Sequence, residues 1–257
     1  MKALKKLVKE SDDITQSILN KTKKFDTHDA ALIGLFEDLI GKIISIVILI
    51  DNKSFSGIDA LIRMSLENYA FIKFILDKNT KNRANSYFYA VKVREIQSYE
   101  RYTSDEKEGV RFRNFAGVSK EEFQHQFPKY QDQGHIDEIY ERYVNCLGLK
   151  DKKSKWYNFD GKTSSFEQLC NKIGLGEHYD SIYRMFSSEV HALESLNYFE
   201  VTKNQVNVLR KSGDQKGQID MAIGYLYEAS KQILKYYELN TELRKLNAKM
   251  GIAMKYR

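Results

Sequence analysis

The chain has 257 residues, of which 42% are hydrophobic and 30% charged, enough for a substantial buried core and inconsistent with a disordered chain. Its formal charge of +6 is modest and spread along the sequence, so it permits nucleic-acid binding without demanding it. A single proline fits long uninterrupted helices, and two cysteines without metal-ligand spacing exclude a disulfide scaffold and a zinc ribbon.

Residues 1–25 read as an amphipathic, basic helix, with Leu4, Leu7, Ile14 and Ile18 at near-helical spacing. No apolar run follows the basic first residues, so no secretory leader is expected. Thr27 is the N-cap expected for a second helix over residues 30–50. That helix is apolar nearly all round towards its end and is expected at the centre of the fold. Its most apolar run, residues 43–50, is too short to span a bilayer, and Glu37, Asp38 and Lys42 interrupt any upstream extension. No membrane association is expected, and the protein is read as cytoplasmic, with Cys146 and Cys170 as reduced thiols.

A third helix, over residues 56–77, carries Ile58, Leu61, Ile62, Leu66, Tyr69, Ile72 and Phe74. Asp59, Arg63 and Glu67 step along it at intervals of four, either as a solvated row of ion pairs or as a charge pair sunk into the bundle in support of a site. Residues 81–102 form a fourth helix rich in Tyr and Phe, a composition that usually belongs to a core although it also suits base stacking. Residues 104–133 are the least regular stretch. One short helix is expected there, over 119–126, because Ser119 followed by Glu122 has capping-box spacing. His125 and His135 are too isolated to form a metal pair. Residues 136–147 are again helical.

A basic loop, residues 150–155, ends at Trp156, the sole tryptophan. Lys155 and Trp156 are a candidate substrate-binding pair, a cation for phosphate beside a ring for a base; the plainer alternative is a solvated linker. Residues 164–173 form a helix ended by Gly174 and Gly176. Another helix follows over 179–195. Residues 198–209 alternate with period two and turn at Lys203-Asn204, the pattern of a β-hairpin. A last long helix is expected over 218–246, followed by a basic tail. No repeat or linker-like stretch interrupts the chain. The expected fold is mainly α: one domain, an antiparallel helical bundle with a core over 30–195 and one small β-hairpin before the last long helix.

The chemistry-bearing stretch is 179–195. In a regular α-helix, Arg184 and His191 are two turns apart and share a stripe, separated by roughly 10 Å along the axis. Ser188 sits between them. Ile182, Met185, Phe186 and Val190 line most of the other side. A planar cation, a hydroxyl and an imidazole suit phosphate handling: Arg grips phosphate oxygens and His moves a proton near neutral pH. The plainer alternative is that Arg184 pairs with a nearby carboxylate and His191 packs locally. The sequence has no phosphate-binding glycine loop, no dinucleotide fingerprint, no HExxH and no GxSxG, so no metal or cofactor is expected and Arg184 with His191 is the best catalytic pair.

Three ordered marks carry a resemblance. They are Leu61-Ile62-Arg63-Met64-Ser65-Leu66-Glu67, then Lys155-Trp156, then Tyr183-Arg184-Met185-Phe186-Ser187-Ser188-Glu189-Val190-His191. With them the chain resembles the bacterial domain-of-unknown-function family 5677, a name that implies no activity. Arg184 followed after six residues by His191 is also similar to the Arg-x4–6-His motif of HEPN ribonucleases, small helical proteins of toxin–antitoxin and phage-defence systems. That resemblance implies a homodimer whose two motifs face one cleft and cut single-stranded RNA without metal. His191 would move a proton to or from the 2′-oxygen or the leaving oxygen, and Arg184 would stabilise the charged phosphate. Ser188 would orient His191 or contact phosphate, and Arg63 and Glu67 would support the site from the neighbouring helix. Two other functions fit the same residues. One is a helical interaction or sensor module in which they form a buried network that fixes helix register. The other is a pocket for a small anionic, nucleotide-like ligand walled by Arg63, Arg184 and His191.

Overall fold

A computed structural model of the chain describes residues 1–148, 153–190, 199–203, 205–208 and 214–255. It is mainly α, a helical bundle with one small antiparallel hairpin, as the hydrophobic periodicity predicts. The chain falls into two compact units, residues 1–78 with 167–257, and residues 79–166. The junction at residues 78–79 carries no Pro, Gly or Ser enrichment, whereas the one at 166–167 follows Gly161, Ser164 and Ser165.

The first unit is built on α1 (Lys2–Lys21), α2 (Thr27–Asp51) and α3 (Ile58–Asp77). α1 buries Leu4, Leu7, Ile14 and Ile18, the stripe expected from spacing. The cap of α2 is Asp26 rather than Thr27. The Asp26 carboxylate accepts from the His28 amide at 2.8 Å, and the Asp29 carboxylate accepts from the Asp26 amide at 3.1 Å, a reciprocal capping box. α2 buries Leu32, Phe36, Leu39, Ile40, Ile43 and Ile46 and is the central helix. Gly57, at φ +85°, takes the left-handed turn that starts α3, which packs on α2.

The last long helix of the sequence reading is two helices, α11 (Lys216–Tyr236) and α12 (Asn240–Lys255). The break has the hydrogen bonds of a Schellman turn, Glu238 N–H to the Lys235 carbonyl and Leu239 N–H to the Leu234 carbonyl. Glu238 takes φ +54° although it is not glycine, which hides the stop from sequence inspection. The Lys21 ammonium donates to the Tyr237 and Glu238 carbonyls at 2.7 and 2.9 Å, and Leu239 is buried. α11 then packs on α1 and α3. At its contact with α1 the small hydroxyls of Ser11 and Ser230 meet at 3.4 Å, both fully buried.

Two short helices, α8 (Phe166–Lys172) and α9 (Gly176–His178), lead into the chemistry-bearing stretch, whose described part is a π-helical turn (Tyr179–Tyr183) and α10 (Arg184–Val190). The hairpin pairs β1 (Phe199–Thr202) with β2 (Gln205–Val208), with Val201 opposite Val206 and Thr202 opposite Gln205; Asn204 of the expected turn lies outside the described residues. Among the described residues, no helix is long and apolar enough to cross a membrane.

The second unit contains α4 (Thr80–Thr103), α5 (Lys107–Ala116), α6 (Lys120–Gln126), a 3-10 turn (Pro128–Tyr130) and α7 (Gln133–Leu147). The Ser119–Glu122 capping box forms as its spacing predicts. The rest of this region is more ordered than its composition suggests. α5 is held by buried Arg113, whose guanidinium donates to the Tyr102 and Ser104 carbonyls at 2.6 and 2.8 Å. A charged side chain here does the work of an apolar anchor, so no hydrophobic period marks the helix.

Candidate functional site around Arg63, Tyr183 and Arg184

α3 presents Arg63 and Glu67 on one face, one turn apart, with Nη2 of Arg63 at 3.5 Å from the Glu67 carboxylate. The Arg63 side chain is 17% exposed, so the second reading of the charge row, a pair partly sunk into the bundle, describes it. Its Nη2 donates to the Tyr183 hydroxyl at 2.7 Å, and its guanidinium carbon lies 4.1 Å from the centroid of the same ring. Burial, followed by the Glu67 charge, pushes the Tyr183 phenol above its ordinary pKa against the opposing influence of Arg63. The Nε of Arg63 is buried without a hydrogen-bond partner among the described residues.

Arg184 follows Tyr183 by one residue, about 100° round the helix, and points elsewhere. Its side chain is 58% exposed. Nη2 is 3.1 Å from the Glu167 carboxylate of α8, and Nε is 3.4 Å from that of Asp180. The guanidinium also lies 5.4 Å from the centroid of the Tyr179 ring. Tyr179 itself stacks on Tyr183 at 5.0 Å and 16°. The cluster is thus a layered one: half-buried Arg63, then the Tyr183–Tyr179 stack, then exposed Arg184 between two carboxylates. Arg63 and Arg184 are not two walls of one pocket, because the tyrosines separate them.

The π turn places its wider hydrogen-bonding pattern immediately before Arg184. Met185, expected on the apolar side of this helix, is 56% exposed, whereas Ile182 and Phe186 are buried. The apolar stripe is therefore narrower than the uniform α-helical reading gives. Ser188 lies in α10, but its side chain and the whole of His191 lie outside the described residues. The supporting residues missed in the sequence are Tyr179, Tyr183, Glu167 and Asp180. Two of them had a signal, since Tyr179 is four residues before Tyr183 and Asp180 four before Arg184.

Lys155 and Trp156 belong to the second unit. Trp156 is 4% exposed and packs edge-on against Tyr87 and Tyr157, while the Ser86 hydroxyl donates to its carbonyl at 2.7 Å. Its ring is mostly packing material. Lys155 is exposed, and both residues border a cavity of about 240 Å³.

Among the described residues, one group has metal-ligand chemistry: Asp26, His28 and Asp29, with ligand atoms within 4.8 Å of one another. Its setting opposes a cation. The carboxylates cap the positive end of α2, Asp29 also accepts from the Tyr237 hydroxyl at 2.8 Å, and Lys21 and Lys24 line the same concavity.

The fold and this cluster define a helical-bundle protein that carries an exposed arginine on an aromatic stack. The chain belongs to the Family of unknown function (DUF5677), whose profile matches residues 29–207 and so spans Arg63, Glu67, Arg184 and His191. No curated protein and no solved structure matches it.

Proposed function

We propose that the protein is a HEPN-like, metal-independent endoribonuclease or RNA-binding effector of bacterial defence, acting as a homodimer, with Arg184 as its phosphate-binding cation. The observation that carries the reading is the exposure of Arg184 on a rigid support. Arg63 fixes Tyr183, Tyr183 stacks on Tyr179, and Tyr179 lies beneath the Arg184 guanidinium. The two carboxylates beside Arg184 do not block it. Exposed ion pairs of this kind contribute about 0–1 kcal/mol each, so exchanging them for phosphate oxygens costs little. A planar guanidinium then offers a paired donor set to the phosphodiester.

In this reading the 2′-oxygen of RNA attacks phosphorus as the bond to the 5′-oxygen breaks. His191 takes the proton from the 2′-hydroxyl or gives one to the departing oxygen. Arg184 neutralises the charge that grows on the phosphoryl oxygens. Ser188 orients His191, and Arg63 with Glu67 positions the helix without touching substrate.

The test is expression in bacteria of the wild type beside Arg184→Ala and His191→Ala, with growth and total RNA followed. It is paired with the purified protein and single-stranded RNA in a chelator. Growth arrest and chelator-resistant RNA cleavage, both abolished by either substitution in a folded protein, are expected. If the purified wild type neither cleaves nor binds single-stranded RNA, the reading is wrong.

A further inference from the structure

The second unit holds two concavities that meet at one residue. An aromatic one, about 400 Å³, is lined by Tyr99, Tyr102, Phe123 and Phe127 with Arg94 and Lys129. A polar one, about 240 Å³, is lined by Arg94, Lys153, Lys155 and Trp156. Arg94 borders both because it lies between two faces of α4. Residues 95, 98, 99 and 102 face the first cavity, and residues 90, 93 and 97 face the second.

The two halves differ in what they can hold. The aromatic half has flat walls: Tyr99 lies parallel to Phe123 within 26°, and Phe127 parallel to Tyr130 within 17°. Phe127 remains 37% exposed at the mouth. Around Arg94 the lining is cationic, with Lys129 on one side and Lys153 and Lys155 on the other. Among the described residues the one acid in the lining, Glu95, is already engaged: its oxygens lie 2.9 Å from the Lys92 ammonium, and the Tyr130 hydroxyl donates to it. Arg94 is exposed and makes no hydrogen bond or ion pair among the described residues, so its planar fork is available. Flat apolar walls joined to a cationic rim suit a planar ring that carries an anion. The larger concavity alone is within the usual size of small-ligand sites, about 300–1,000 Å³.

We propose that the second unit binds a nucleoside 5′-phosphate, with the base among Tyr99, Tyr102, Phe123 and Phe127 and the phosphate at Arg94 and Lys155. The RNA reading above rests on Arg184 in the other unit, so either can fail without the other.

The full-length protein is titrated calorimetrically with AMP, GMP, CMP and UMP. Adenosine, inorganic phosphate and a short single-stranded oligonucleotide are tested beside them. Trp156, the sole tryptophan and a wall of the polar half, reports locally through its fluorescence. Saturable binding of at least one mononucleotide with a change in Trp156 emission is expected, with adenosine and inorganic phosphate each weaker by about tenfold or more. Arg94→Ala and Phe127→Ala are each expected to weaken binding by about tenfold, and both change exposed side chains, so the fold survives and circular dichroism checks it. No saturable binding of any mononucleotide overturns the proposal. So does mononucleotide binding that both variants leave unchanged, or binding of the oligonucleotide alone.

Discussion

Arg63 and Tyr183, 120 residues apart in sequence, are joined twice: by a 2.7 Å hydrogen bond and by the guanidinium lying over the ring at 4.1 Å. The pair ties α3 to the π turn that precedes Arg184. Because the Arg63 side chain is largely out of water, its removal takes a donor from the Tyr183 hydroxyl and the neighbouring cation from the Glu67 carboxylate, and leaves those two with each other. Arg63→Ala is expected to destabilise the first unit by about 2–3 kcal/mol, and Tyr183→Phe, which keeps the ring, by about 1 kcal/mol. Arg184→Ala, at an exposed pair, should cost under about 1 kcal/mol. Urea unfolding of the three variants at neutral pH measures this order. An Arg63→Ala protein as stable as the wild type would show that the contact is incidental.

Gly109 offers a sharper test because the usual rule has the opposite sign. A glycine inside a helix is normally improved by alanine, by about 1 kcal/mol. Here a Cβ would lie 2.4 Å from the Ser104 carbonyl oxygen and 2.7 Å from that of Arg101. Both are main-chain atoms at the turn from α4 into α5, and the Ser104 carbonyl also accepts from Arg113. The Ser104 carbonyl cannot move without disturbing the anchor of α5. Gly109→Ala should therefore lose about 1–3 kcal/mol, read as a lower thermal midpoint. A raised midpoint would mean that α5 sits less tightly on α4 than the structure has it.

Where the sequence was legible, a local signal matched the global fold. The stripe Leu4, Leu7, Ile14 and Ile18 marked α1, the Ser119–Glu122 spacing marked α6, and period-two alternation marked the hairpin. Where it was not, a non-local contact replaced the signal. Glu238 stops α11 in a conformation that favours glycine, with Lys21 capping from 217 residues away. Arg113 anchors α5 in place of a leucine. At the site, spacing identified Arg63 and Glu67 as a pair, and a carboxylate beside Arg184 was the plainer alternative with no partner named; neither gives the direction each side chain takes. One residue of helical rotation sends Tyr183 inward to Arg63 and Arg184 outward to Glu167.

The two thiols should differ in reactivity. Cys170 is fully buried, and burial, followed by the Glu67 charge, pushes its thiol up from the ordinary 9.0 to about 12. That leaves about a thousandth of the usual thiolate at neutral pH, and the thiolate is the reacting form. Cys146 is half-buried; burial raises its thiol too, but the Arg142 charge opposes the shift. Brief iodoacetamide treatment followed by peptide mass spectrometry is expected to label Cys146 first, with Cys170 labelled only in denaturant. Equal labelling of both in the native protein would show that α8 opens readily from the first unit.

Glu95 makes the fold weakly acid-sensitive. Burial alone would raise its carboxyl, but hydrogen bonds from Tyr130 and Lys92 and the charges of Lys92 and Lys129 outweigh that and hold it below its ordinary value. A carboxyl with a lowered folded pKa contributes stability that is present above its unfolded pKa, about 4.3. The contribution is lost as pH falls through the lower folded value. The Glu95 side chain is 39% exposed, so solvent screening limits the effect to below about 1 kcal/mol. Unfolding midpoints of the wild type and Glu95→Gln should therefore differ at pH 7 and converge as pH falls below about 4. A gap that stays constant across that window would mean that the Tyr130 hydroxyl bonds the amide as well as the carboxylate, so that the charge contributes nothing.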